Sequence, residues 1–183
     1  MEFNSLVPEI SVSNFDKSYQ FYVNDLGFHV EYDRIESKFA FLSLQGMQIM
    51  IEEKNGNWET GILEYPYGRG INFQILVSSV DEILNKLEMI NYPLMQEVKI
   101  VWYRMKDTKV GHKEFLVQDP DGYLLRFAER IIEWVLDNII VYFHMFRTLY
   151  AMLNYKANSE IIKISSQFIY KIINYIPYIY IRI

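Results

Sequence analysis

The side chain that most clearly suggests a chemical role is Arg126, in the stretch from Phe115 to Arg130. The residues Asp119-Pro120-Asp121-Gly122 divide this stretch into two apolar runs, and their turn chemistry predicts a β-hairpin. Side chains alternate along a strand, so Arg126 lies in the middle of an otherwise apolar strand face. Such a guanidinium either pairs with a carboxylate, with Glu9 and Glu52 as candidate partners, or lines a binding cleft as a donor.

The other chemically active residue types do not form a recognisable catalytic set. The three histidines, His29, His112 and His144, have neither metal-site nor triad spacing. No nucleophile stands beside a base, and the sequence has no recognisable acid–base carboxylate pair or phosphate-binding loop. The chain has no cysteine, which fits a reducing compartment. We therefore expect a cytoplasmic protein without catalytic residues.

Aromatic side chains are the stronger candidates for ligand binding. Phe39 and Phe41 alternate on one predicted strand face, where burial in the core is the ordinary alternative. Trp58, Trp102 and Tyr103 stand in glycine-rich or charged surroundings that predict exposure, and exposed aromatic residues in loops suit stacking on a flat ligand. The candidate ligand-binding residues are therefore Phe39, Phe41, Trp58, Trp102, Tyr103 and Arg126.

The charge of the chain restricts its partners. The net charge is −5, with −7 in residues 1–130 and +2 in residues 131–183. Nucleic acid is not expected as a partner, because phosphate binding requires the opposite sign. A cationic small molecule is the better match.

The elements that would position these residues repeat along the chain. The first set comprises strands at 6–13, 28–35, 38–44 and 47–53 with a helix from Ser13 or Asn14 to about residue 24, and the second comprises a strand at 71–77, a helix at 79–91, a strand at 96–103 and the closing hairpin. A polar, glycine-rich linker at 54–70 separates the two sets.

A short repeat supports this division of the chain. Val12 and Val77 lie 65 residues apart, as do Ser13 and Ser78 and likewise Asp16 and Asp81. Together with the element order, the repeat predicts an α+β fold of paired βαβββ modules at about 5–53 and 71–130, enclosing a concave cleft. Two unrelated α+β halves are the alternative.

The composition changes after residue 130. Residues 131–183 contain no glycine and are rich in Ile, Tyr and Asn, although charged residues interrupt the longest apolar run. This pattern predicts a C-terminal apolar, helical extension that does not span a membrane. Its role stays open between a chance extension of the reading frame and a stripe that contacts a partner helix or a membrane surface.

Two segments are similar to a known family. The stretches SVSNFDKSYQFYVNDLGF and EFLVQDPDGYLLRFAE resemble the vicinal oxygen chelate superfamily of glyoxalases, bleomycin resistance proteins and dioxygenases. The similarity is closest to the bleomycin resistance proteins and covers about residues 5 to 130. The resemblance implies paired βαβββ modules, a homodimer, and ligand clefts at module or subunit interfaces.

The resemblance also bears on metal binding. It places the four metal-ligand positions of the family's metalloenzymes on Val7, Met50, Asn72 and Arg126. Valine and methionine are not useful ligands for a hard divalent ion, asparagine is a weak one, and arginine brings a positive charge. We therefore expect no metal and no cofactor. A shift of the comparison by two residues would instead offer Glu9 and Glu52.

The function that the resemblance implies is binding without catalysis. In bleomycin resistance proteins the planar bithiazole and basic tail of the drug lie in a groove with aromatic walls and acidic surroundings. We therefore expect a protein that sequesters a cationic planar or glycopeptide antibiotic such as bleomycin and so confers resistance. The alternatives are a metal-dependent lyase or dioxygenase of the same superfamily, and a ligand-sensing or interaction module.

Overall fold

The computed structural model describes residues 2–131. The strands are β1 (Glu9–Val12), β2 (His29–Arg34), β3 (Phe39–Leu44), β4 (Met47–Glu53), β5 (Asn72–Leu76), β6 (Gln96–Met105), β7 (Thr108–Gln118) and β8 (Leu124–Ile131), and the helices are α1 (Phe15–Tyr19) and α2 (Val80–Met89). His144 and the helical extension predicted for 131–183, beyond Ile131, lie outside the described residues. Within the part that is described, no helix has the length and apolarity needed to cross a membrane.

The strands form two four-stranded sheets with the same connectivity. The first sheet has the order β1-β4-β3-β2 and the second the order β5-β8-β7-β6. In each sheet the first and last strands of the module pair in parallel, β1 with β4 and β5 with β8. Each module therefore reads strand, helix, and three further strands, which confirms the predicted pair of βαβββ modules.

The helix starts of the two modules repeat at the predicted spacing of 65 residues. Asn14 caps α1 by accepting a hydrogen bond of 2.9 Å from the Lys17 amide. Ser79 caps α2 by accepting one of 3.3 Å from the Glu82 amide. Short polar side chains are favoured here because they satisfy amides that have no partner within the helix.

The helix predicted to end at about residue 24 is α-helical over a shorter length. After α1 the chain continues as a π-helical turn, Gln20–Asp25, in which the Leu26 amide bonds the Phe21 carbonyl at 2.9 Å. The neighbouring rings of Phe21 and Tyr22 are both buried in this wider turn.

The two modules are tied together by reciprocal hydrogen bonds. The Ser13 amide of the first module donates to Asp121 in the β7–β8 turn of the second at 3.0 Å. The Ser78 amide of the second module donates to Gln45 in the β3–β4 turn of the first at 2.7 Å. Because Ser13 and Ser78 are equivalent in the repeat, each module is held by the hairpin of the other.

Both modules contribute to one hydrophobic core on the helix-facing sides of the sheets. Its members include Ile10, Val12, Leu42, Ile49, Ile51, Phe21, Tyr22, Ile75, Val77, Ile83, Leu87, Phe115, Val117, Leu125 and Phe127. Phe39 and Phe41 are also buried but belong to the opposite side of the first sheet.

The described chain falls into two compact units. Among residues 2–131, the first comprises residues 2–101 and Lys113–Glu129, and the second comprises the hairpin end Trp102–His112 together with Arg130 and Ile131. The site described next belongs to the first unit.

Candidate functional site

The candidate site lies on the side of the first sheet that faces away from the helices, which we call the open face. Strand register places its side chains in two rows. The first row is Glu9, Met50, Phe41 and Tyr32, and the second is Ser11, Glu52, Phe39 and Arg34. Each row therefore runs from the β1–β4 side of the sheet to an aromatic wall on β3 and β2.

Three rings make up the aromatic wall. The Tyr32 ring centroid lies 5.8 Å from that of Phe39 and 5.4 Å from that of Phe41. The guanidinium carbon of Arg34 lies 3.8 Å from the Phe39 centroid. A cation is attracted to a ring face by the quadrupole of the π-system, and the Arg34 guanidinium makes such a contact with Phe39.

Two carboxylates stand beside this wall. The pKa of Glu9 is raised above its ordinary value, mainly by partial burial and next by repulsion from Glu52, while Arg34 acts in the opposite direction. Two like charges that share a sheet face disfavour each other's ionised form. A cationic group near both carboxylates would offset that repulsion.

Arg126 lies on β8 of the second sheet, at the position equivalent to Met50 on β4 of the first sheet. Arg126 is the register partner of Gln74, and its Nη2 donates a hydrogen bond to Gln74 Oε1. Gln74 follows Glu9 by 65 residues, and Arg126 follows Met50 by 76, the same offset that separates Gln45 from Asp121. This contact is with an amide on the neighbouring strand of the same sheet, and pairing of Arg126 with Glu9 or Glu52 stays a prediction.

The four positions that the resemblance assigns to metal ligands do not offer a donor set for a divalent ion. Val7 and Met50 offer no hard donor, and Asn72 is an exposed amide at the start of β5. Arg126 places a guanidinium at the point of the second sheet where Met50 stands in the first. Among residues 2–131, no group of three or more His, Asp or Glu side chains is arranged to hold a metal.

Trp58, a further candidate ligand-binding residue, lies in the linker between the two modules, as expected. Its side chain is 69% exposed and makes no ring contact with another described residue. The structure brings Phe39 and Phe41 together on the open face and leaves Trp58 apart from their ring cluster.

Trp102 and Tyr103 lie in strand β6, within the region of the predicted strand at 96–103. The predicted exposure holds for Trp102, which is 37% exposed. The run from Gln96 to Met105 is rich in β-branched and aromatic residues, which favour a strand. A Cβ atom on Gly111 would lie 2.8 Å from the Trp102 ring, so this ring packs closely on the glycine. Tyr103 is half-buried, with its ring centroid 5.6 Å from that of His112.

Sequence reasoning missed Tyr32 and Arg34 because β2 contains a bulge. The register shifts between Val30 and Tyr32. Strict alternation from the start of β2, where Val30 pairs with Leu42, would place Glu31 beside Phe41, but the extra residue brings Tyr32 there instead. The signal that could have identified Arg34 is its position just before the β2–β3 turn, opposite Phe39.

Solved structures of other proteins resemble this chain. A glyoxalase/bleomycin resistance protein/dioxygenase superfamily member from Vibrio splendidus 12B01 is 31% identical, with 67% of this chain and 95% of that chain covered and a TM-score of 0.32. A glyoxalase/bleomycin resistance protein/dioxygenase from Alicyclobacillus acidocaldarius is 20% identical, with 71% and 93% covered and a TM-score of 0.51. TioX from Micromonospora sp. ML1 is 17% identical, with 70% and 100% covered and a TM-score of 0.56. The last two share the fold.

The sequence match extends over most of the described residues. No curated protein matches the chain. Residues 3–127, however, match the sequence profile of the Glyoxalase/Bleomycin resistance protein/Dioxygenase superfamily. This region contains both βαβββ modules up to Phe127 in the closing strand. The chain therefore belongs to the glyoxalase/bleomycin resistance protein/dioxygenase superfamily.

Proposed function

We propose that the protein is a non-enzymatic binder that sequesters a planar, cationic small molecule, with bleomycin-type glycopeptides as the first class to test. Its action would be mass action alone, since a bound molecule is withdrawn from its target without any bond being made or broken. The proposal treats the protein as a cytoplasmic resistance factor that acts as a homodimer.

The observation that carries this proposal is the combination of charge and rings on the open face. Glu9 and Glu52 share this face with the rings of Phe39 and Phe41, both of which contact the Tyr32 ring. The chain already places one cation, the Arg34 guanidinium, against Phe39. A ligand with a flat ring and a positive group would repeat this contact and compensate the carboxylates at the same time.

The donor chemistry favours binding over metal-dependent catalysis. Of the four positions where metalloenzymes of the superfamily hold their ion, Val7 and Met50 are apolar or soft, and Arg126 is cationic.

Isothermal titration calorimetry with bleomycin tests the proposal. We expect one class of site, with affinity that falls as salt is added because charge attraction contributes to it. Glu52→Gln removes one carboxylate of the open face and should weaken binding by about two- to fivefold, on the scale of a single exposed ion pair. Glu88→Gln, on the exposed side of α2, makes the same change in net charge away from the site and should leave affinity unchanged.

Two results would contradict the proposal. One is the absence of heat and of thermal stabilisation with bleomycin and a panel of planar cations. A ligand at a hundredfold its Kd should stabilise the folded protein by about 2.7 kcal/mol, so failure to see a shift is decisive. The other is turnover of a superfamily substrate that depends on added metal and is lost in Glu9→Gln or Glu52→Gln, which would support the lyase or dioxygenase alternative.

A further inference from the structure

The short segment Glu2–Asn4, which precedes β1, is fixed across the β3–β4 hairpin. The backbone N–H of Asn4 donates to Gln48 Oε1 at 2.7 Å, and the side-chain nitrogen of Asn4 donates to the Gly46 carbonyl at 2.8 Å. Gln48 Nε2 in turn donates to the Glu2 carbonyl at 2.7 Å. These bonds hold the chain on both sides of Phe3.

Phe3 thereby lies flat on the aromatic wall. Its ring centroid is 5.3 Å from that of Phe41, and the two ring planes differ by 11°. Phe41 has no solvent exposure, whereas Phe3 is 55% exposed. An incoming ring can therefore reach this side of Phe41 only by displacing Phe3.

We propose that Glu2–Asn4 is a displaceable strap, in which Phe3 occupies an aromatic subsite on Phe41 that a flat ring of the ligand takes over. The inference rests on the proposed function, because it concerns the same open face. It adds a regulatory contact within the chain and defines one subsite. The subsite accepts a single planar aromatic ring, and Glu9, in the same row as Phe41, is placed to attract a positive charge attached to it.

The strap is held weakly enough to be displaced. All three hydrogen bonds that fix it are exposed to solvent, where water competes for both partners. The remaining attachment is the ring pair, whose usual contribution corresponds to about two- to tenfold in a binding constant. Neither Phe3 nor Asn4 belongs to the hydrophobic core, so the strap can leave without disturbing it.

Fluorescence titration with thioflavin T, a planar cationic benzothiazole dye, tests the strap in the full chain. Phe3→Ala should tighten dye binding by about two- to tenfold, because the dye no longer competes with the phenyl ring. Asn4→Ala removes the side-chain bond to Gly46, one of the three hydrogen bonds, and should shift affinity in the same direction. Leu6→Ala is the matched control, since Leu6 is also exposed and near the strap in sequence, and it should bind as the unmodified protein does.

A double variant locates the effect. Combining Phe3→Ala with Phe41→Leu should abolish the gain, because the subsite then lacks its ring. Equal or weaker dye binding in Phe3→Ala overturns the strap, as does a gain that persists without Phe41. Absence of dye binding to both the unmodified protein and Phe3→Ala overturns it as well, since removal of Phe3 should free the subsite.

Parallel titrations with bleomycin separate this inference from the proposed function. If Phe3→Ala gains affinity for the dye while neither protein binds bleomycin or any other planar cation of the panel under moderate salt, the strap stands and sequestration fails. If bleomycin binds the unmodified protein and Phe3→Ala equally, sequestration stands and the strap is wrong.

Discussion

The Tyr22 hydroxyl donates a hydrogen bond of 2.9 Å to Asp119 Oδ2, and both side chains are buried. Tyr22 belongs to the π-helical turn of the first module, and Asp119 begins the β7–β8 turn of the second. The other oxygen of Asp119 accepts from the amides of Asp121 and Tyr123 at 3.0 and 2.8 Å. One carboxylate thus shapes the turn of its own module and holds the other module against it.

We expect Tyr22→Phe to lower the free energy of unfolding by about 1–3 kcal/mol, because Asp119 then loses a partner in a place that water does not reach. Urea unfolding measures the change. Tyr19→Phe is the control, since the Tyr19 hydroxyl has no hydrogen-bond partner among residues 2–131 and its loss should be nearly neutral. Equal effects of the two substitutions would show that the Tyr22–Asp119 bond contributes nothing specific.

Asp119 should also make stability depend on pH. Burial raises the pKa of Asp119 from 3.8 to about 6, although hydrogen bonds from the Tyr123 amide and Tyr22 act to lower it. Between pH 3.8 and about pH 6 the folded protein keeps a proton on Asp119 that the unfolded chain releases. This carboxyl therefore stabilises the fold at acidic pH. The contribution is lost as pH rises through about 6.

Asp119→Asn should remove this dependence, because an amide of the same shape does not ionise. The difference in unfolding free energy, variant minus unmodified protein, should be larger at about pH 7.5 than at about pH 4 by up to about 3 kcal/mol. The reason is that one pKa unit corresponds to about 1.4 kcal/mol. Urea unfolding at both values measures it. A constant difference between the two proteins across this range would mean that Asp119 ionises as it does in the unfolded chain.

Much of the fold could be predicted because turn residues and alternating apolar residues are recognisable within short stretches of sequence. Gln45 and Gly46 were predicted to form a turn, and both have positive φ. The boundaries of β3 and β4 agree with prediction to within one residue, since alternating apolar residues end at that turn. The alternation of apolar residues could not predict the bulge before Tyr32, because one extra residue in a strand does not change the amino-acid composition in a recognisable way.

The candidate site was only partly predictable for the same reason. Phe39 and Phe41 were found from period-2 spacing, which the sheet preserves. Phe3 lies outside every predicted element and is positioned by hydrogen bonds to a hairpin more than 40 residues away in sequence. Trp102 lies within the predicted strand at 96–103, and its exposure was predicted from its charged neighbours.

Carboxylates at the ends of the closing strands support the helix starts in both modules. Glu53 Oε2 accepts from the Phe15 amide at 2.9 Å, and Glu129 Oε2 accepts from the Val80 amide at 3.0 Å. A negative charge at a helix N-terminus is favourable, and a buried amide without a partner is costly. We expect Glu129→Ala to destabilise by about 1–3 kcal/mol and Glu129→Gln by less, because glutamine keeps an acceptor oxygen.

Glu53 provides the comparison for that prediction. Glu53 is half-buried whereas Glu129 is buried, so water can replace the Glu53 carboxylate more easily. Glu53→Ala should therefore cost less than Glu129→Ala in thermal or urea unfolding. The opposite order would contradict the view that burial sets the value of these contacts.

Metal content is a direct test of the ligand positions. Protein purified without chelator should contain well below one equivalent of Zn, Ni, Mn or Fe by elemental analysis, because Val7, Met50, Asn72 and Arg126 occupy the four family positions. One tightly held equivalent would overturn this expectation. Its loss in Glu9→Gln and Glu52→Gln would then assign the metal to the open face.

Gly46 and Gly122 are equivalent hairpin glycines, with φ of 91° and 87°, but their surroundings differ. A Cβ atom on Gly46 would meet nothing within 4 Å, whereas one on Gly122 would lie 2.5 Å from Pro66 Cβ and 2.8 Å from Pro66 Cα. Gly46→Ala should therefore cost only the strain of an L-residue at positive φ, about 1–2 kcal/mol. Gly122→Ala should cost clearly more, because the backbone at Pro66 must also move. Urea unfolding of both variants measures the difference, and equal losses would show that the linker yields at Pro66 without cost.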